Sequence, residues 1–319
     1  MIYSKIIATG SYLPQKVLTN ADLEKMVDTT DEWIVSRSGI KERRIAASGE
    51  KTSDMAYNAA LDAINSVNLD RTCIDLIIVA TSSADMIFPS TACLLQARLG
   101  LVHIPAFDLQ AACTGFVYAM ATADSYIKSK MAKTVLVVGA DGVSRFIDYT
   151  DRNTCVLFGD GAGAVILQAS DEYGIIANEI HADGSGEKSL YSNGHIYNGK
   201  ICGIPYIKMD GQAVYKMAVK NLATVATNIL TKNGYSANQV DWLVPHQANL
   251  RIIEATAQHL SIPMNKVVVT VDKHGNTSAA SVPLALDCAI KDKRIKRGDL
   301  IMLEGVGAGF TWGASLIRY

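Results

Sequence analysis

The sequence predicts an α/β protein that is built from two similar halves. Strand-like and helix-like runs alternate along the chain, and the same alternation occurs twice. Aligning Asp75 with Asp241 gives an offset of 166 residues, and aligning Asp108 with Asp272 gives 164. Offsets that close indicate an internal duplication, and alternating strands and helices are typical of layered α/β folds.

The elements follow from the period and length of the apolar runs. Short apolar, β-branched runs favour buried strands, and longer runs favour helices. In the first half we predict strands over 74–81, up to 109 and over 134–139, and helices over 91–99 and 113–131. The second half repeats this order, with strands over 240–244, 267–272 and 299–303 and helices from 249 and over 277–293. The turn-rich segment 183–203 is interpreted as an ordered excursion or a lid.

Composition excludes several classes of protein. The chain has 319 residues, 49% hydrophobic residues and a net charge of −1, which suits one large core or two fused ones and argues against a nucleic-acid partner. Charged residues make up 19%, below the roughly 25% of typical globular proteins, which favours a subunit interface. The apolar runs are too short for a signal peptide or a membrane span, so we expect a cytoplasmic protein without a membrane partner.

The six cysteines have no regular spacing and no C-x-x-C pair. Such a distribution indicates neither a disulfide framework nor a zinc site, and we expect no bound metal.

Three short segments carry the chemistry. Residues 111–116, 245–249 and 274–278 supply a thiol at Cys113, an imidazole at His246 and a carboxamide at Asn276. The duplication places Cys113 and Asn276 at nearly equivalent strand-to-helix turns, so the site is expected at the junction of the two halves. Cys113 opens a predicted helix, whose N-terminus favours a thiolate.

None of these segments contains Asp or Glu. This argues against a base that removes a proton and for two neutral donors that hold a developing enolate oxygen. The three groups therefore suit carbon–carbon bond formation on thioesters.

Two glycine clusters are candidate ligand sites. Residues 159–164 match the letters of the dinucleotide pattern G-x-G-x-x-A, but the strand-like run 165–167 follows where a helix is needed, so a tight turn between strands is preferred. Residues 305–310 precede another alternating run, 310–316, and permit a close approach of the backbone to a ligand.

Spacing alone also fits a papain-like Cys–His–Asn hydrolase. The context disfavours it, because Cys113 lies in A-A-C-T-G-F, far from the N-terminus, and not in C-G-[SA]-C-[WY].

The quoted segments, together with 31–40, 158–163 and 310–313, resemble β-ketoacyl-acyl-carrier-protein synthase III over essentially the whole chain. The resemblance implies a thiolase-like fold layered α-β-α-β-α, with one half at 1–170 carrying the cysteine and another at 171–319 carrying the histidine and asparagine. It also implies a homodimer that condenses an acyl-CoA primer with malonyl-acyl carrier protein, without a cofactor beyond these substrates.

The resemblance assigns roles to particular residues. Cys113 accepts the acyl group, His246 and Asn276 bind the malonyl thioester carbonyl, and the backbone N–H groups of Cys113 and Ala308 form an oxyanion hole. The other roles concern binding: coenzyme A at Trp33, Arg37, Arg152, Gly211, Ala248 and Asn249; the carrier protein at Arg251 and Lys216; and the acyl pocket at Phe88, Phe158 and Val306, with Phe88 crossing the dimer interface.

Two other hypotheses about function remain open from the sequence. A thiolase-fold enzyme of secondary metabolism would share the cysteine, histidine and asparagine but use a different acceptor. A non-catalytic acyl-binding protein would not need all three chemical groups. Val306 stands where some family members carry a bulky aromatic residue, so the sequence leaves the length and branching of the primer open.

Overall fold

The computed structural model describes residues 2–319. The strands are β1 (Tyr3–Tyr12), β2 (Lys16–Thr19), β3 (Glu42–Ile45), β4 (Leu76–Ala80), β5 (Ala106–Leu109), β6 (Thr134–Gly142), β7 (Asp160–Ser170), β8 (Ile175–Ala182), β9 (Leu190–Tyr191), β10 (His195–Tyr197), β11 (Lys200–Cys202), β12 (Lys208–Met209), β13 (Trp242–Pro245), β14 (Leu300–Gly307) and β15 (Thr311–Arg318). The helices are α1 (Asn20–Leu23), α2 (Asp31–Ser38), α3 (Thr52–Ser66), α4 (Thr91–Arg98), α5 (Gly115–Lys128), α6 (Arg152–Cys155), α7 (Gly211–Lys232), α8 (Leu250–His259), α9 (Val271–His274) and α10 (Ser281–Lys291).

Two sheets correspond strand by strand. The first has the order β1-β7-β6-β4-β5 and the second has the order β13-β14-β15-β8. In each sheet a parallel pair, β4 with β6 or β13 with β14, is followed by antiparallel neighbours. The first sheet has a further parallel pair, β4 with β5. The order matches if β4, β6, β7 and β1 are equated with β13, β14, β15 and β8, which confirms the predicted duplication.

The predicted strand over 267–272 is wrong. Only one parallel bridge, between Leu243 and Val267, occupies the place that β5 takes in the first sheet, and α9 begins at Val271. The side chain of Gln247 takes over the hydrogen bonds of a neighbouring strand. Its Nε2 donates to the Val268 carbonyl at 3.0 Å, and its Oε1 accepts from the N–H of Thr270 at 2.8 Å. The backbone is thereby released to turn into α9.

Three apolar clusters define the layers. The central cluster joins both sheets to α5 and α10, with Ile78 and Val137 from the first sheet and Leu303 and Ile317 from the second. A second cluster packs α3 and α4 on the outer face of the first sheet. A third packs α7 and α8 on the outer face of the second sheet. The order helix, sheet, helix, sheet, helix agrees with the expected layering.

The first glycine cluster is not a turn, contrary to expectation. Residues 160–164 lie inside β7, which runs on as a strand and so lacks the helix that the dinucleotide pattern requires. The glycines admit the middle layer instead: a Cβ on Gly163 would lie 2.7 Å from the Leu284 N atom, and one on Gly139 would lie 2.3 Å from the Ala279 carbonyl oxygen. These contacts allow α10 to pack closely on the sheet.

The excursion at 183–203 is ordered and exposed. It contains the two-stranded hairpin of β10 and β11, in which Ile196, Tyr197 and Ile201 are all more than half exposed. Among residues 2–319, no helix combines the length and the apolar character needed to cross a membrane.

Candidate active site

Cys113 lies in a short 3-10 turn, Ala112–Thr114, that leads directly into α5. The residue is 8% exposed. The end of β14 passes close to its backbone, since a Cβ on Gly307 would lie 2.7 Å from the Cys113 N atom. The second glycine cluster therefore brings the backbone of one half against the thiol-bearing turn of the other.

His246 follows β13 and is held on two sides. Its backbone N–H donates to the backbone carbonyl of Glu304 at 2.8 Å, and its ring Nδ1 lies 2.5 Å from the Ser281 Oγ. Ser281 Oγ also accepts from the N–H of Gln247 at 3.3 Å, and its hydroxyl proton can be donated to Nδ1. Burial lowers the pKa of His246 to about 4, so the imidazole is neutral and only one of its two ring nitrogens carries a proton.

Asn276 is fixed through its backbone. Its N–H donates to the Leu157 carbonyl at 2.8 Å, and its carbonyl accepts from the N–H of Gly159 at 3.0 Å. Its Oδ1 accepts from the N–H of Ser278 at 3.0 Å, which leaves Nδ2 to donate. Gly275 has a φ of +64°, and a Cβ there would lie 2.9 Å from the Arg43 Cβ, so this turn requires glycine.

One cavity of about 650 Å³ joins the three groups. Cys113 belongs to the first half of the sequence, and His246 and Asn276 belong to the second half. Eight further residues singled out in the sequence also line it: Arg37, Phe158, Gly211, Lys216, Ala248, Asn249, Arg251 and Val306.

A smaller cavity of about 350 Å³ adjoins the first and is lined by Trp33. Arg37, Gly211 and Asn249 line both cavities. The Arg152 guanidinium lies 4.8 Å from the Trp33 ring centroid, in a cation–π arrangement. The Asn249 side chain accepts from the N–H of Arg251 at 2.8 Å and donates to the Arg37 carbonyl at 2.9 Å, so it caps α8 and ties it to α2.

Three of the singled-out residues line neither cavity: Phe88, Ala308 and Arg152, which contacts Trp33. Phe88 is 80% exposed and does not line the cavity within this chain. Ala308 lies in the turn between β14 and β15, next to the cavity-lining Gly307.

The expected thiolate is not what the structure favours. Burial raises the pKa of the Cys113 thiol to about 11, against a smaller lowering by a hydrogen bond from Ser278. The thiol is therefore protonated at neutral pH in the free protein. Burial destabilises the thiolate more than the N-terminus of the short helical turn stabilises it. The sequence pattern does not show how deeply Cys113 is buried.

Sequence reasoning also missed buried carboxyls beside the site. Asp141, at the end of β6, is fully buried near Cys113, and Glu304 on β14 is fully buried behind His246. Burial raises the pKa of Glu304 to about 8 and also raises the pKa of Asp141. The sequence signal for both residues was an acid within an otherwise apolar strand. Such an acid is a candidate for a functional role, because acidic residues are almost never fully buried unless they are paired.

Residues 2–319 contain no cluster of three or more His, Cys, Asp or Glu side chains arranged to hold a metal ion.

The chain matches two family models. Residues 107–184 match 3-oxoacyl-[acyl-carrier-protein] synthase III, and residues 230–319 match the C-terminal part of the same family. The first segment contains Cys113, and the second contains His246 and Asn276.

Relatives that match over their full length point to the same family. The chain is 57% identical to β-ketoacyl-[acyl-carrier-protein] synthase III of Laribacter hongkongensis over 319 residues, covering 100% of both chains. It is also 57% identical to the protein of the same name from Neisseria meningitidis, again covering 100% of both. The crystal structure of 3-oxoacyl-[acyl-carrier-protein] synthase III from Aquifex aeolicus superimposes with a TM-score of 0.95 at 50% identity, covering 99% of this chain and 100% of that one.

These matches cover the whole chain at high identity, and they favour this family over a thiolase-fold enzyme of secondary metabolism. With its thiolase fold and a cavity that joins thiol, imidazole and carboxamide, the chain belongs to the β-ketoacyl-acyl-carrier-protein synthase III family and is an acyltransferase of the condensing type.

Proposed function

We propose that this protein condenses an acyl-CoA primer with malonyl-acyl carrier protein, releasing CoA and CO₂ and forming 3-oxoacyl-acyl carrier protein. The observation that carries the proposal is the convergence of Cys113, His246 and Asn276 on one cavity. The names of the relatives support the carrier protein as acceptor. The chemistry needs no cofactor beyond the two thioesters.

The first step is acyl transfer to Cys113. The sulfur attacks the thioester carbonyl, the C–S bond to CoA breaks, and the acyl group is held as a new thioester. The N–H groups of Cys113 and Ala308 are proposed to stabilise the oxyanion. The approach of Gly307 to the Cys113 N atom supports this, because it brings the next residue's amide to the same turn.

The second step is decarboxylation of the malonyl thioester. Nε2–H of neutral His246 and Nδ2 of Asn276 are the donors proposed for its carbonyl oxygen. Loss of CO₂ then leaves an enolate whose charge two preorganised donors stabilise, and its carbon attacks the acyl group on Cys113. The bonds at His246 Nδ1 and Asn276 Oδ1 support these roles, since they leave the donor side of each group unused.

The mouth of the cavity is proposed to bind coenzyme A. Trp33 and Arg152 offer an aromatic plane and a guanidinium for adenine, and Arg37 offers a positive charge for phosphate. Gly211, Ala248 and Asn249 line the passage for the pantetheine arm. Lys216 and Arg251 stand at the same cavity and are proposed to attract the acidic carrier protein.

The acyl pocket is proposed to be completed in a homodimer. Phe158 and Val306 line the cavity from within the chain, whereas the loop with Met86, Ile87 and Phe88 presents apolar side chains to the outside. Such an exposed apolar patch suits an interface. Phe88 of the partner subunit would then close the pocket.

The proposed division of the chain into halves at 1–170 and 171–319 is supported by the end of β7 at Ser170 and the start of the second sheet's β8 at Ile175. We also propose a cytoplasmic location, where acyl-CoA and carrier protein meet.

The test is incubation with a panel of acyl-CoAs, reading the mass gained on the Cys113 peptide, followed by addition of malonyl-acyl carrier protein or a free β-keto acid. We expect acylation of Cys113 and product only with the malonyl carrier. The Cys113→Ala variant is expected to fold, take up no acyl group and form no product. Turnover by that variant, or preference for the free β-keto acid, would contradict the proposal.

A further inference from the structure

The proposed coenzyme A clamp, the pair Trp33 and Arg152, stands on two short helices. Trp33 belongs to α2, which has eight residues, and Arg152 opens α6, which has four. Helices this short are marginal by themselves, so the contacts around them determine where they lie. The Arg152 guanidinium reaches the Trp33 ring only if the two helices are correctly placed.

Asn20, the first residue of α1, holds α2 at both ends. It is 2% exposed. Its Nδ2 donates to the Asp31 carboxylate at 2.7 Å, in the first turn of α2, and to the Ile40 carbonyl at 2.8 Å, just after the C-cap Gly39. Both of these partners only accept, so the amide is oriented with its Oδ1 on the opposite side.

The Asn20 Oδ1 meets a buried guanidinium. Arg43, on β3, is 0% exposed, and its Nη1 and Nη2 both donate to Asn20 Oδ1 at 2.9 Å. Nη1 also donates to the Leu18 carbonyl at 3.0 Å, and Nη2 donates to the Val156 carbonyl at 2.8 Å. Val156 is the C-cap of α6. Asn20 and Arg43 together therefore connect α2 to α6.

The charges along this connection make its hydrogen bonds strong. All four hydrogen bonds of the Arg43 guanidinium go to uncharged oxygens. The Asn20 amide lies between this cation and the Asp31 anion, with its oxygen toward the first and its NH₂ group toward the second. Hydrogen bonds to ionised groups are shorter and stronger than neutral ones. The planar fork of an arginine binds several oxygens at once, which a lysine ammonium does not reproduce.

We infer that Asn20 and Arg43 are positioning residues for the binding of coenzyme A. They hold α2 and α6 at the separation at which Trp33 and Arg152 close over the adenine. The inference rests on the proposed coenzyme A clamp. Neither Asn20 nor Arg43 lines the two cavities of the site, so their effect passes through the helices.

Asn20→Asp is the sharpest test, because it keeps the volume and the oxygen that Arg43 binds but removes both donors to α2. Binding of coenzyme A and of 4′-phosphopantetheine to the free protein is measured by calorimetry, with competition titrations for the weaker ligand. We expect coenzyme A to bind about 10-fold more weakly, comparable to loss of the cation–π contact. Phosphopantetheine, which lacks adenine, should stay within about twofold of wild type. Asn65→Asp, at an exposed position of α3, is the control.

The outcomes separate the inference from the clamp on which it rests. Wild-type affinity for coenzyme A in the folded Asn20→Asp protein, or equal weakening of both ligands, would overturn the inference alone. If the wild-type protein bound coenzyme A no more tightly than phosphopantetheine, the proposed clamp would fail and the inference with it.

A double-mutant cycle asks whether Asn20 acts through the clamp. In the Trp33→Ala background, Asn20→Asp is expected to weaken coenzyme A binding by less than about twofold, because residues that act as one unit are not additive. A further 10-fold loss in that background would show that Asn20 acts elsewhere and would overturn the inference.

Decarboxylation of malonyl-acyl carrier protein without primer distinguishes positioning from a general loosening of the fold. Arg43 Cβ lies against the turn of Asn276, since a Cβ on Gly275 would be 2.9 Å from it, whereas Asn20 has no hydrogen bond to that turn. Asn20→Asp should therefore leave decarboxylation within about twofold of wild type. Parallel loss of decarboxylation and coenzyme A binding would overturn the inference.

Arg43→Lys keeps the buried charge and the Cβ but loses the fork of donors. We expect it to weaken coenzyme A binding about as much as Asn20→Asp does. Wild-type affinity in this variant would show that the charge alone is sufficient and would overturn the role of the Arg43 hydrogen bonds. If Arg43→Lys does not fold, the Asn20→Asp measurements decide the question.

Discussion

The Ser281 hydroxyl and His246 Nδ1 lie 2.5 Å apart, in a fully buried position between the start of α10 and the end of β13. Ser281 also accepts from the Gln247 N–H, and its one hydroxyl proton can be donated to Nδ1, the arrangement that puts the ring proton on Nε2 as the proposed mechanism requires. A residue 35 positions from the histidine thus fixes the orientation of the imidazole in the cavity.

We predict that Ser281→Ala lowers the rate of malonyl decarboxylation by about 10-fold, since the ring loses the partner that fixes its tautomer; an orienting partner of a functional histidine is typically worth 10–100-fold. Acylation of Cys113 should change little. Ser125→Ala, which removes an exposed hydroxyl from α5, is the control. Unchanged decarboxylation would show that the tautomer is held by other means.

Gly307→Ala should reduce acylation by about 10²-fold. The new Cβ would lie 2.7 Å from the Cys113 N atom and 3.0 Å from the Thr114 N atom, so the amides of this turn must move. Displacing one oxyanion-hole donor costs on the order of 10²–10³ in kcat. Gly184→Ala is the matched control, because a Cβ there meets nothing within 4 Å. Wild-type acylation by folded Gly307→Ala would remove this turn from the oxyanion hole.

Glu304 predicts a dependence of stability on pH. Its pKa rises from 4.5 to about 8 on folding, because it is fully buried and neither carboxyl oxygen has a hydrogen-bond partner among residues 2–319. Between these values the folded state binds one more proton than the unfolded state. This group therefore contributes a loss of stability of up to about 1.4 kcal/mol per pH unit as the pH rises through this window.

Glu304→Gln should remove that contribution, so that the variant gains stability relative to wild type at pH 8 more than at pH 5. Denaturant titrations at several pH values would measure this slope. Glu254→Gln, at an exposed position of α8, should leave the slope as it is. An identical slope in the Glu304→Gln protein would mean that the carboxyl is ionised or solvated in the folded state.

Trp33→Ala and Arg152→Ala are each expected to raise the KM for acyl-CoA by about 5–30-fold, corresponding to the 1–2 kcal/mol of a cation–π contact that closes over a ligand. The KM for malonyl-acyl carrier protein should change much less, because the carrier's pantetheine bears no adenine. Steady-state kinetics with each substrate varied in turn would show this. Equal effects on both substrates would indicate a general structural role.

Phe88→Ala should shift preference toward longer acyl-CoAs while the dimer persists. A side chain 80% exposed in one chain is proposed to fill the pocket of the partner, and each methylene admitted or refused is worth about 1–3 kcal/mol. Competition among acetyl-, butyryl- and octanoyl-CoA, with sedimentation to confirm the dimer, is the measurement. An unchanged profile in a dimeric variant would exclude Phe88 from the pocket.

The periodic pattern of the sequence was enough for the α/β alternation and the duplication. It also placed Cys113 and Asn276 at equivalent positions, shortly before α5 and α10, and both line one cavity. It failed for 267–272, where β-branched residues read as a strand. There a single side chain, Gln247, satisfies the backbone groups of Val268 and Thr270, and local propensity carries no record of such a partner.

The sequence by itself therefore determined the class of fold and the chemical groups of the site, since both depend on local period and residue type. The protonation and the hydrogen-bond partners of those groups depend on the tertiary structure. Asp141 and Ala279 meet across 138 positions, and Ser281 of α10 contacts His246, which follows β13. Burial, which depends on every packed layer, raises the pKa of Cys113 and lowers that of His246. Desolvation and long-range hydrogen bonds are properties of the folded environment, and no spacing along the chain encodes them directly.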